Sequence, residues 1–150
     1  MQNPALAILL RRLRLPAVLA RCEELQRTAV AETWSHLQYL HALAEAECEE
    51  RAGRRLQRLL QLSGLPEGKT LASLDMAALP AKTGPQVGHL LDGDFVRRAG
   101  NVLLFGLPGR GKTHLAAGIG REMILRHGFA VLFTPAFALV QRLLAARAAL

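Results

Sequence analysis

Residues 106–114 read GLPGRGKTH and follow the short apolar run NVLLF. This stretch leaves the chain few conformational choices. Side chains at Gly106, Gly109 and Gly111 would obstruct a tight turn or keep a ligand away from backbone N–H groups. The preceding run has the composition of a buried parallel strand ending at glycine. The following KTHLAAGIGREMILRHG predicts a helix with a glycine stop at Gly128. The loop therefore sits where backbone N–H groups gather at the positive end of a helix. Downstream, AVLFT reads as a second apolar strand. PAFALVQRLLAARAAL reads as a second helix with proline at its first position. Strand, helix, strand, helix predicts a βαβα unit with a right-handed parallel crossover.

Gly106, Gly111, Lys112 and Thr113 match the spacing G-x-x-x-x-G-K-[ST], the P-loop, in the strand-to-helix context that the motif requires. A triphosphate carries several negative charges, and successive backbone N–H groups can cradle them. Lys112 is placed to reach the β- and γ-phosphates, and Thr113 to offer its hydroxyl to Mg²⁺. The expected ATP contacts are Gly106, Leu107, Pro108, Gly109, Arg110, Gly111, Lys112, Thr113 and His114. Arg110 is expected in solvent unless it faces phosphate or a neighbouring subunit. Hydrolysis also wants an acidic residue at the end of another strand. After Thr113 the only one is Glu122, in mid-helix. The chain is thus expected to stop short of a Walker B strand, as a fragment or as a binder without efficient turnover.

The N-terminal third predicts helices throughout. NPALAILLRRLRL has apolar residues at helical spacing, and Pro16 opens the next helix, to about residue 29. Ser35 and Gln38 fit a capping box. Leu37, Leu40, Ala44, Cys48, Ala52, Leu56 and Leu59 then recur every three or four residues, predicting one long helix with a bend allowed at Gly53. Arg11, Arg12, Arg14 and Arg21 form one basic cluster, and Arg51, Arg54, Arg55 and Arg58 another, with Glu45, Glu47, Glu49 and Glu50 between them. Glu47–Arg51 and Glu50–Arg54 are i,i+4 pairs in the favourable order, so part of this charge is expected to decorate a solvated face. The net charge of +7 favours an anionic partner, and Arg51, Arg54, Arg55 and Arg58 are the candidate DNA contacts. Gly and Pro become frequent from residue 63, reading as a linker with short helical pieces. The expected division is a helical DNA-binding region at 1–64, a linker at 65–100 and a truncated P-loop core at 101–150. Cys22 and Cys48 lack metal spacing and fit free thiols in a reducing cytoplasm. No apolar run approaches a membrane span of about 20 residues.

The loop and its neighbours, NVLLFGLPGRGKTHLAAGIG and GFAVLFTPAFALVQRLLAA, closely resemble the IstB family of AAA+ ATPases that assist a transposase. The segments LRRLRLPAVLARCEEL and AEAECEERAGRRLQRLLQLSGLPEGKTLASLD extend the resemblance upstream, so that it covers nearly the whole chain. His114, after the Walker threonine, belongs to the IstB and DnaC type of loop. The resemblance implies an α/β fold, with a helical N-terminal region followed by a partial P-loop AAA+ core. It also implies a helper ATPase that binds duplex DNA, oligomerises with ATP and directs a transposase. This chain departs from the family in lacking a second proline at position 107 and in offering no positions for Walker B, sensors or arginine finger. The alternatives are a DnaC-like helicase loader, whose N-terminal region would instead bind a helicase, and a non-catalytic DNA-binding fragment.

Overall fold

The computed structural model describes residues 4–149, and every regular element among them is helical. The α-helices are α1 (Pro4–Arg12), α2 (Pro16–Ala31), α3 (His36–Leu62), α4 (Thr83–Leu91), α5 (Asp94–Arg97), α6 (Lys112–His127) and α7 (Ala136–Ala148), with a single 3-10 turn at Met76–Ala78. The chain divides into two compact units, one ending at Arg55 and one beginning at Leu56.

In the first unit, α1 stops at a left-handed residue. Leu15 N–H donates to Leu10 O and Arg14 N–H to Arg11 O, with Arg14 at φ 57°. Glycine is the residue that fits this position without strain. Here the Arg51 guanidinium holds the Arg14 carbonyl at 2.9 Å. α2 starts with Pro16 in its first turn, but Leu15 at its N-cap has no side-chain acceptor to offer. The open N–H groups are met from α3 instead. One Glu47 carboxylate oxygen accepts from Ala17 N–H at 2.9 Å and from Val18 N–H at 3.4 Å. The other accepts from Arg51 Nε at 2.9 Å. α3 opens on the expected capping box, with Ser35 N–H donating to Gln38 Oε1 at 2.7 Å and Gln38 N–H donating to Ser35 Oγ at 3.2 Å. The helix runs unbroken through Gly53.

Glu47 is only 4% exposed. Burial alone pushes its carboxyl up, but the Arg51 hydrogen bond and charge, together with the two α2 N–H groups, outweigh it and hold the pKa below the usual carboxylate value. A carboxyl depressed in the native state stabilises the fold above its unfolded-state pKa, and that stabilisation is lost as pH falls through the native one. Glu47→Gln is therefore expected to melt several degrees lower than the parent at neutral pH, with the gap closing on acidification. Circular dichroism melts across the acid range check this; a gap independent of pH would deny Glu47 this role.

The second unit is built around α6. Leu115, Ile119 and Met123 form its core with Val87 of α4, joined by Leu71, Leu74, Met76, Leu104, Phe129 and Val131. α6 stops at Gly128, which is left-handed at φ 64°, and Phe129 N–H returns to Met123 O. The expected α/β core of parallel strands does not form: among the described residues there is no strand and no sheet. Residues 101–107 and 129–135 carry no regular secondary structure and form no ladder with each other. Phe133 N–H donates to Ser63 O at 2.7 Å rather than to the other run. Val102, Leu104, Ala130 and Val131 line an apolar cleft of about 340 Å³ together with Ala116, Ile119 and Met123 of α6. Residues of both runs thus pack on one helix without a ladder between them. A strand exists through its ladder, and two parallel strands alone are marginal. Burial here is also one-sided, since Leu103, Phe105 and Leu132 are 74%, 87% and 70% exposed.

Candidate nucleotide-binding site

Residues 106–111 connect the first apolar run to α6 in a conformation that glycine makes possible. Gly106, Gly109 and Gly111 have φ of 154°, 77° and 75°, where a side chain would be strained. Gly111 caps α6, and its carbonyl accepts from Leu115 N–H at 2.8 Å. Among the described residues, no backbone carbonyl accepts from the N–H groups of Gly109 to Thr113. They lie at the N-terminus of a 16-residue helix, whose dipole adds positive potential. Lys112 Nζ folds over the loop and donates to Gly106 O at 2.7 Å and Leu107 O at 2.8 Å. The ammonium is held by neutral carbonyls where phosphate oxygens would serve better. Thr113 is exposed, so its hydroxyl is accessible.

A cleft of about 590 Å³ opens beside the loop. Gly106, Leu107, Arg110 and Lys112 supply its polar side. Leu79, Pro80, Thr83 and Gln86 stand in its wall, with Leu104 and Leu115. The volume suits a nucleotide-sized ligand. Leu79, Pro80, Thr83 and Gln86 lie 20 or more positions from the loop, and no spacing rule in the sequence pointed to them.

His114 looks elsewhere. Its Nε2 lies 2.9 Å from Thr70 O and 3.1 Å from Ser73 Oγ. Residues 65–74 run along α6 at close range. Leu74 lies against Gly111, Leu71 against Gly118 and Leu65 against Gly120, and a Cβ at Gly118 would come within 2.7 Å of Leu71.

Of the candidate DNA contacts, Arg51 and Arg54 are already engaged. Arg51 is bound to Glu47, and Arg54 lies 3.6 Å from Glu50 and 3.7 Å from Glu47. Arg55, Arg58 and the α1–α2 arginines Arg11, Arg12, Arg14 and Arg21 have no carboxylate within 4.0 Å among the described residues. The sequence reading missed the burial of Glu47; the available signal was an α2 start with no capping side chain of its own.

The family model described as IstB-like ATP binding protein matches residues 8–149. The chain belongs to that family. An insertion-sequence ATP-binding protein of Sinorhizobium fredii is 43% identical over 95% of this chain and 48% of its own length. Similarly named proteins of Geobacillus stearothermophilus and Pseudomonas aeruginosa are 39% and 32% identical, over 88% and 95% of this chain. The IstB-like chain spans about half the length of these relatives, 48% to 53% of each. None of its helices is long and apolar enough to cross a membrane, and no cluster of three metal-ligating side chains occurs, among the described residues.

Proposed function

We propose that this chain is an ATP-binding helper of DNA transposition, acting in the cytoplasm with duplex DNA and a transposase and assembling with copies of itself. The observation that carries the reading is the glycine loop at the head of α6, with its free N–H groups and Lys112 ammonium in an insertion-sequence ATP-binding family. Gly106 to Thr113 cradle the triphosphate. Mg²⁺ arrives with the nucleotide, and the Thr113 hydroxyl suits one position of its shell, the rest being phosphate and water. Arg110 is exposed at the rim of the cleft, where it meets phosphate or a neighbouring subunit.

Duplex DNA is held by the arginines that carry no carboxylate partner. Binding by such contacts releases counterions and is steep in salt. Replacing Arg55 and Arg58 by glutamine is expected to weaken binding uniformly across sequences and reduce the salt slope by about two. Arg54→Gln is expected to change the slope less, because its guanidinium already sits between Glu47 and Glu50. Fluorescence anisotropy with a short duplex over a salt series measures this. A slope unchanged by the double substitution would return Arg55 and Arg58 to the solvated surface.

A further inference from the structure

We infer that His114 is a positioning residue: it pins the segment 65–74 to α6 and so sets the non-phosphate wall of the nucleotide cleft. The inference rests on the reading of Gly106 to Thr113 as the phosphate cradle. A carbonyl can only accept, so the contact with Thr70 O requires the hydrogen on His114 Nε2. Ser73 Oγ donates its single hydrogen to Gly68 O at 2.6 Å and accepts from Thr70 N–H, so the one Nε2 hydrogen is shared, with Thr70 O at 2.9 Å its nearer acceptor and Ser73 Oγ at 3.1 Å its farther one. The imidazole N–H therefore closes a turn that is otherwise internally satisfied, and ties it to the first turn of α6. Gly111, His114 and Gly118 are spaced by three and four residues and share one stripe of that helix. Along that stripe Leu74 meets Gly111 and Leu71 meets Gly118. The two glycines let the segment approach, and the histidine between them supplies the polar attachment.

From this attachment the chain passes through Met76, which joins the α6 core, directly to Leu79, Pro80, Thr83 and Gln86 in the cleft wall. The phosphate cradle needs only the loop and Lys112. The wall, which a nucleoside would meet, depends on where residues 70–75 are held. His114 thus acts on the nucleoside end of the ligand and not on the triphosphate, although it is only two residues from Lys112.

The test compares displacement of a fluorescent ATP analogue by ATP and by inorganic tripolyphosphate, which has no nucleoside. His114→Ala is expected to weaken ATP about threefold to tenfold, in keeping with one lost hydrogen bond, and to leave tripolyphosphate nearly unchanged. His114→Gln, whose amide can still donate, is expected to recover ATP affinity and guards against a folding artefact. Ser73→Ala keeps the Thr70 carbonyl acceptor and should lose less than His114→Ala. Equal losses for ATP and tripolyphosphate would place His114 in the phosphate cradle and overturn the inference. No loss for either ligand would overturn it too. A parent chain that binds neither ligand would overturn the phosphate-cradle reading itself, and His114's role with it.

Discussion

Lys112→Ala is expected to weaken ATP binding by about tenfold to a hundredfold, the range of one or two hydrogen bonds to a charged group. In the free chain the ammonium donates to Gly106 O and Leu107 O. Binding exchanges those two neutral acceptors for phosphate oxygens, and charge-assisted bonds are roughly twice as strong. The alanine variant loses that gain. The helix N-terminus and loop N–H groups remain, so some affinity for phosphate is expected to persist. The loop glycines keep their φ whichever residue stands at 112, so the fold should be little affected and melts of the two proteins should agree. Titration with a fluorescent ATP analogue measures the effect. Equal affinity of variant and parent would sink the assignment of this loop to the triphosphate.

Phosphate release from Mg²⁺-ATP by the purified 150-residue chain is expected at or near background, with or without duplex DNA. Holding a triphosphate is separate from hydrolysing it. Hydrolysis needs a group that orients the attacking water and positive charge where negative charge develops. An arginine finger alone is worth about 10³-fold or more. The only carboxylate of this chain beyond Thr113 is Glu122, and it is bound to Arg126 at 2.7 Å on α6. Arg110, the one arginine at the loop, is exposed where it lines the cleft, and no hydrogen bond or ion pair among the described residues fixes its guanidinium. Steady turnover that vanishes in Lys112→Ala would show that Glu122 or another group within these 150 residues orients the water, and the expectation of background turnover would fail.

What could be read without coordinates is what short-range chemistry decides. Ser35 and Gln38 stand three apart and satisfy each other's backbone. Glu50 and Arg54 stand four apart and meet on one helix face. The glycines of GLPGRGKT announce a backbone only they adopt without strain, and the apolar period of residues 37–59 announces α3. Each of these is settled within a turn or two of chain. The tertiary structure alone decided the rest. Glu47 had a good local partner in Arg51, and nothing within its own helix said that it would cap α2 from 30 residues away. His114 adjoins the phosphate loop in sequence, yet its ring is claimed by a carbonyl 44 residues earlier. The two apolar runs have the composition of strands, but composition sets how readily a backbone extends and which face is apolar. It does not supply the neighbour whose N–H and C=O groups complete a ladder. In the structure residues of both runs pack on α6 and no ladder joins them, so their apolar character was legible in the sequence and the absence of a sheet was not.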